Sequence, residues 1–159
     1  MINTCFFTTI SSTTPTIDGQ DFSYGDTIEC SVTPNDGTDD GAPVSSSSSV
    51  SISNTPPTLN SASLAPTTVY EATTLTCSPG TSNDTDGDTV SFIYDWSING
   101  TSISLNSDTL HGVYFDKGDT VNCEITPDDG FNTGQPVTSW GRWVDFGVRV
   151  FFFIAPGKP

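Results

Sequence analysis

The sequence predicts an all-β protein built as an antiparallel β-sandwich, and three observations support this fold class. First, apolar residues occupy every second position from residue 90 to 96, and this period of two is typical of a half-buried strand: Val90, Phe92, Tyr94 and Trp96. Second, the chain is only 33% hydrophobic and rich in turn-forming residues, which favours short strands over helices. Third, residues 25–37 recur as residues 118–130, an offset of 93 residues that matches the size of one sandwich domain.

The alternating stretch is the predicted central strand, from Val90 to Ile98. It runs into Asn99-Gly100, two residues that tolerate positive φ and therefore favour a tight hairpin turn. Trp96 is the predicted core anchor. Cys77 precedes this strand and Cys123 follows it, and the order Cys-Trp-Cys is typical of a sandwich with a disulfide between its two sheets. We therefore expect Cys77 and Cys123 to be bonded.

Further strands are predicted on both sides of the central one, and almost no helix is expected. Their predicted ranges are 59–64, 73–77, 101–105, 109–115, 120–126 and a last strand from Val137. Residues 127–130, of sequence Pro-Asp-Asp-Gly, are predicted to form a turn.

The repeat register divides the chain into four parts. Residues 1–55 correspond to the C-terminal half of a repeat, residues 56–58 form a Pro-rich junction, residues 59–146 make a nearly complete repeat, and residues 147–159 form a divergent aromatic tail. We expect the incomplete first copy either to borrow strands from another chain or to belong to a longer repeat protein. Cys30 matches Cys123, but Cys5 matches Ile98 rather than Cys77. Either Cys5 and Cys30 are therefore bonded to each other, or at least one of them remains a thiol.

The charge balance excludes one class of partner. Lys and Arg number 4 against 19 Asp and Glu, so the net charge is −15. A binder that follows nucleic-acid phosphates needs a basic surface, and anionic lipid would repel this chain. No stretch is long and apolar enough to predict membrane insertion. Four cysteines without a C-x-x-C pair, beside a single histidine, favour disulfides and an extracellular setting over a zinc site.

Residues 84–88, of sequence Asp-Thr-Asp-Gly-Asp, form the best candidate for a ligand site. Carboxylates that alternate around a glycine turn can converge oxygen atoms on a hard cation, so Asp84, Asp86 and Asp88 are the predicted Ca²⁺ ligands. The alternative is an ordinary acidic turn, in which these side chains bond to their own backbone. The remaining acidic turn residues, near Asp36 and Asp129, are explained by turn chemistry.

No pattern in the sequence predicts an enzyme. It contains no Gly-x-Ser-x-Gly, no phosphate-binding glycine loop and no His-Glu-x-x-His. His111 is predicted to be a surface residue. The aromatic residues near the C-terminus predict an interaction patch instead: Trp140, Trp143, Phe151, Phe152 and Phe153. This tail either inserts into a neighbouring subunit or represents the altered end of a longer reading frame.

Several motifs taken together carry a family resemblance. They are residues 84–90 (DTDGDTV), 94–100 (YDWSING), 115–123 (FDKGDTVNC) and 126–130 (TPDDG). In this combination the chain resembles the tandem Ig-like repeats of large bacterial cell-surface and secreted proteins, marine ones included. Two departures are clear: Val121 stands where antibody-type domains have a tyrosine, and the spacing from Cys77 to Trp96 is longer than in those domains.

The resemblance implies an Ig-like sandwich with a structural or adhesive role outside the cell. We expect a spacer, an adhesin or a filament subunit, assembling through strand exchange with neighbouring copies or with other surface-protein domains. The alternative is a β-sandwich module that binds a carbohydrate or another ligand through loop residues, with or without Ca²⁺.

Overall fold

The computed structural model describes residues 2–6, 11–12, 16–19 and 21–144, with the side chains described from residue 16 onward. The predicted aromatic tail, residues 147–159, lies outside the described residues. The chain forms two compact units, Met1–Thr55 (unit 1) and Pro56–Pro159 (unit 2). The described regular structure is almost entirely antiparallel strand, which confirms the all-β prediction, and a 3-10 helix spans Gly112–Tyr114.

Unit 1 contains six described strands: β1 (Ile2–Phe6), β2 (Ser11–Ser12), β3 (Thr27–Ile28), β4 (Ser31–Thr33), β5 (Val44–Ser45) and β6 (Val50–Ser51). They form a four-stranded sheet in the order β2-β1-β4-β5 and a separate β3-β6 pair.

Unit 2 contains ten described strands: β7 (Thr58–Leu59), β8 (Ala62–Ala65), β9 (Leu75–Pro79), β10 (Ser82–Asn83), β11 (Ser91–Ile98), β12 (Thr101–Ser102), β13 (Thr109–Leu110), β14 (Thr120–Asp128), β15 (Val137–Thr138) and β16 (Arg142–Trp143). One sheet has the order β12-β11-β14-β15, with β16 also paired to β14, and a second sheet has the order β13-β9-β8. A short β7-β10 pair accompanies them.

The long β11–β14 ladder is the centre of unit 2. It runs from Ser91 opposite Asp128 to Ile98 opposite Val121. Since alternate side chains of a strand point to one face, Val121, Cys123 and Ile125 enter the core together, and none of them has exposed surface. The predicted hairpin follows β11, because Asn99 and Gly100 both have positive φ, of 51° and 81°.

The predicted disulfide is present and joins the two sheets. It links Cys77 of β9 to Cys123 of β14, with their Cα atoms 6.3 Å apart. Trp96 has no exposed surface and its indole N–H donates to the carbonyl of Ser107 at 2.7 Å. The rest of the buried core is apolar: Leu64, Val69, Leu75, Leu110, Phe115, Val121, Ile125 and Val144.

The predicted strand over residues 59–64 is wrong in one respect, because it is two strands that pair with different partners. β7 pairs with β10, whereas β8 pairs with β9. Between them, the side chain of Asn60 accepts a hydrogen bond from the backbone N–H of Thr81 at 2.8 Å. A Cβ on Gly80 would collide with the side chains of Asn60 and Ser61, so the two segments approach very closely at this break.

Three other boundaries also differ from the prediction. The strand predicted over 109–115 ends at Leu110, because Gly112 packs against the carbonyl of Glu71 and begins the 3-10 helix. The strand predicted over 73–77 is observed two residues later, as β9. The strand predicted over 101–105 is shorter than expected, because β12 ends at Ser102.

The turn predicted from Pro127 begins later, because β14 continues through Pro127 to Asp128. The carbonyl of Pro127 accepts from the N–H of Gly134 at 2.8 Å, on the side of β14 away from β11. In an antiparallel strand the N–H and C=O of one residue face the same neighbouring strand. The missing N–H of Pro127 therefore removes no hydrogen bond from the ladder between β14 and β11.

Hydrogen bonds of unit 1 reappear in unit 2 at the 93-residue offset. The backbone N–H of Cys30 donates to Ser46 Oγ at 3.2 Å, and that of Cys123 donates to Ser139 Oγ at 3.1 Å. The register of Val32 opposite Val44 likewise matches that of Ile125 opposite Val137. The two units therefore share local geometry as well as sequence over this stretch.

The first strand of unit 1 pairs in a different register from its counterpart. Thr4 lies opposite Ser31 in the β1–β4 ladder, whereas the 93-residue offset applied to the β11–β14 ladder places Ser31 opposite residue 2. This shift of two residues keeps the same side chains on the same face of the sheet. The side chain of Cys5 lies outside the described part of the chain, so the pairing of Cys5 with Cys30 stays a prediction.

Candidate functional site

The three predicted Ca²⁺ ligands lie together in the loop between β10 and β11. One carboxylate oxygen from each of Asp84, Asp86 and Asp88 lies within 4.8 Å of the other two. Gly87 has a φ of +87° and so provides the sharp turn between the second and third carboxylates. The arrangement supplies hard oxygen ligands at a spacing that suits a divalent cation.

Asp84 organises this loop through one of its two oxygens. Its Oδ1 accepts from the backbone N–H of Asp86 at 2.9 Å and from that of Asp88 at 3.1 Å. This is the turn chemistry that the sequence offered as the alternative to a metal site. Its Oδ2 is buried, however, and has no hydrogen-bond partner within the described part of the chain. Turn formation therefore uses only one of the two carboxylate oxygens of Asp84, Oδ1.

A fourth carboxylate acts on the same loop. Loss of hydration raises the pKa of Asp88, and the neighbouring carboxylates of Asp84, Asp129 and Asp86 raise it further. Asp129 is only 8% exposed, and its Oδ1 accepts from the backbone N–H groups of Phe131 and Asn132, both at 2.7 Å. Like charges thus concentrate at one end of unit 2, where a bound cation would relieve their repulsion.

Sequence reasoning assigned Asp129 to turn chemistry alone. That assignment fits the hydrogen bonds of Asp129. Asp36, the matching residue of unit 1, accepts equivalent hydrogen bonds from the backbone N–H groups of Thr38 and Asp39. These backbone N–H groups lower the pKa of Asp36. The proximity of Asp129 to Asp88 was missed, although the pairing of Ser91 with Asp128 brings the two segments together. A register prediction for β11 and β14 would have revealed it.

The predicted aromatic patch is described only in part. Trp143 lies in β16 and is 73% exposed, while Trp140, just before that strand, is 88% exposed. Phe151, Phe152 and Phe153 lie outside the described residues. Arg142, between the tryptophans, donates from Nη2 to the carbonyl of Leu64 at 3.2 Å and so anchors the strand to unit 2. Both indoles are therefore exposed to solvent, one in β16 and one just before it.

His111 is exposed, and its Nδ1 lies 3.1 Å from Thr74 Oγ1. Within the described residues, no helix has the length and apolar character needed to cross a membrane.

The chain matches no known protein-family model. A search of curated proteins likewise returned no match.

Proposed function

We propose that this protein is an extracellular structural or adhesive repeat module of the Ig-like sandwich type, serving as a spacer, an adhesin or a filament subunit. The observation that supports this most directly is the recurrence of sequence and backbone hydrogen bonds at an offset of 93 residues, beside two antiparallel sheets joined by a disulfide. Repeated units of one domain size are typical of chains whose role is to extend or to present.

The chemistry of the surface and the core fits an extracellular setting. A disulfide persists in oxidising compartments and stabilises a domain with few apolar residues. A net charge of −15 keeps neighbouring copies soluble through mutual repulsion. The proposed partners are neighbouring copies of the same unit or other domains of a surface protein.

Assembly is proposed to occur by strand exchange through unit 1. Ile28 and Val32 are only half-buried, although the positions matching them in unit 2 have no exposed surface. Light scattering over a range of protein concentrations tests this proposal, with mass expected to rise with concentration. Val32→Asp should suppress the increase, whereas Ser45→Asp should not, because Ser45 is exposed and alternates with Val44 on β5, so its side chain points to the other face of the sheet. A monomer at every concentration would refute assembly.

A second candidate function is a ligand-binding module that uses Ca²⁺. The convergent carboxylates and the buried, unpartnered Oδ2 of Asp84 favour it. Calorimetric titration with CaCl₂ should give saturable heat. Asp86→Asn should weaken binding at least tenfold, while Asp108→Asn, an exposed residue outside the cluster, should leave it unchanged. Absence of heat at millimolar Ca²⁺ would exclude the site.

A carbohydrate is proposed as the ligand of the exposed indoles, because indoles stack on sugar rings. Trp143 pairs with Thr120, at the other end of β14 from Asp128 and the aspartate loop, so this sugar site is separate from the Ca²⁺ site. A glycan array probed with the full chain, with and without Ca²⁺, separates this function from a spacer role. Binding should be lost in the double variant Trp140→Ala, Trp143→Ala. An array without signal in both conditions leaves the structural function as the better account.

A further inference from the structure

Unit 2 shows what covers the inner face of the repeated strands. Val121 and Ile125 of β14 have no exposed surface because the β13-β9-β8 sheet lies over them. Leu64 of β8 and Leu75 of β9 belong to the same buried cluster, and the Cys77–Cys123 bond fixes the two sheets together. The covering segment runs from β7 to β9, residues 58–79.

Unit 1 contains matching apolar positions that are less covered. Ile17, Phe22, Ile28 and Val32 stand 93 residues before Leu110, Phe115, Val121 and Ile125. All four residues of unit 1 are half-buried, whereas the four of unit 2 are at most 3% exposed. Among the strands described in unit 1, none corresponds to β8 or β9, since its sheets contain only β1 to β6. Because the four matching residues pack in one core cluster of unit 2, the comparison assigns those of unit 1 to one apolar face and indicates the kind of segment that fits it.

We propose that this face, formed by Ile17, Phe22, Ile28 and Val32, is a docking site for a separate extended segment with the chemistry of residues 58–79. This inference rests on the proposed function, because it names the partner for strand exchange. The occupant is a strand pair that presents leucines at the positions of Leu64 and Leu75. Polar residues alternate with these, as Ser63 and Thr76 do, so the outer side of the docked pair faces water.

The test uses the full chain, isotope-labelled for NMR, and a synthetic peptide of residues 56–83 carrying Cys77→Ser. The substitution prevents thiol exchange, and the disulfide of unit 2 keeps the resident copy of the segment in place. We expect saturable one-to-one binding with shift changes at Ile28 and Val32 but not at Ile125. The matched control is the same peptide with Leu75→Asp, which should bind at least about tenfold more weakly, because burying a leucine contributes about 1.5–3 kcal/mol.

Variants of the chain locate the site. Val32→Asp should weaken peptide binding at least about tenfold. Ser45→Asp, whose exposed side chain points to the other face of the same sheet, should leave it unchanged. Equal binding of the Leu75→Asp peptide, shifts confined to unit 2, or no binding at millimolar peptide would overturn the inference. Self-association that the peptide does not reduce would also overturn it, because a second copy would then occupy the face in another way.

The inference and the proposed function fail separately. If the chain assembles but the peptide does not bind, the docking segment is wrong and the assembly proposal stands. If the peptide binds and the chain stays monomeric at all concentrations, the docking site stands and assembly through it is refuted.

Discussion

Trp96 lies directly opposite Cys123 in the β11–β14 ladder, and neither side chain has exposed surface. The largest aromatic side chain of the core therefore sits beside the disulfide that joins the two sheets. The indole N–H also donates to the carbonyl of Ser107, so the ring is oriented by a polar contact as well as by packing.

Trp96→Ala should lower the free energy of unfolding of unit 2 by about 3–5 kcal/mol, because it leaves a large cavity and an unpaired carbonyl. Urea unfolding followed by circular dichroism measures the loss. Trp140→Ala is the matched control, since that side chain is 88% exposed, and it should change stability by less than about 0.5 kcal/mol. If the alanine variant does not fold, Trp96→Phe should still cost more than the control.

Removing the disulfide with Cys77→Ala and Cys123→Ala should destabilise unit 2 by roughly 4 kcal/mol. The bond closes a loop with a sequence separation of 46 residues, and the chain-entropy model gives about this value for a loop of that size. Thermal unfolding of the oxidised protein and of the double variant provides the comparison. A loss below about 1 kcal/mol would mean that packing alone holds the two sheets together.

Gly134→Ala should destabilise unit 2 by about 1–3 kcal/mol. A Cβ at this position would collide with the carbonyl of Pro57 and lie 2.9 Å from Cγ of Pro127, and both prolines are fully buried. Gly19→Ala serves as the control, because no atom lies within 4 Å of its Cβ position. Equal unfolding midpoints for the two variants would show that the chain near residue 134 moves aside without cost.

The stability of unit 2 should fall in acid partly through Asp119. The backbone N–H of Asp116 and then the side chain of Asn99 hold the pKa of Asp119 below its usual value of 3.8. Its contribution to stability is therefore present above pH 3.8 and is lost as the pH falls through the lower folded-state pKa.

Asp119→Asn should lower the melting temperature at pH 6 and have progressively less effect towards pH 2. Scanning calorimetry across this range tests the prediction. Asp116→Asn is the control, because it keeps the backbone donor of residue 116 while removing a neighbouring charge. An effect of Asp119→Asn that is equally large at both ends of the range would exclude a role for ionisation.

The parts of unit 2 that follow from local patterns were predictable. The alternation from Val90 to Trp96 gives β11, and Asn99-Gly100 gives its hairpin, because both depend only on neighbours in sequence. The disulfide followed from the order of Cys77, Trp96 and Cys123, since domains of this size place such residues in facing sheets.

Features set by distant contacts were not predictable. The break after β7 depends on the close approach of Asn60 to Gly80, and the 3-10 helix depends on the contact of Gly112 with Glu71. In the candidate site the three aspartates occupy alternate positions within five residues, so their convergence was expected. The fourth carboxylate, Asp129, acts on Asp88 only after β11 and β14 pair.

The covalent link between Cys77 and Cys123 also sets how far this chain can lengthen when its ends are pulled apart. Force would be transmitted through the S–S bond and would not stretch the chain between Cys77 and Cys123. That stretch corresponds to a sequence separation of 46 and includes all of β11. At about 3.5 Å per extended residue, roughly 160 Å of contour length stays withheld until the bond is reduced. Under tension, unit 2 would therefore lengthen less with the disulfide intact than after its reduction.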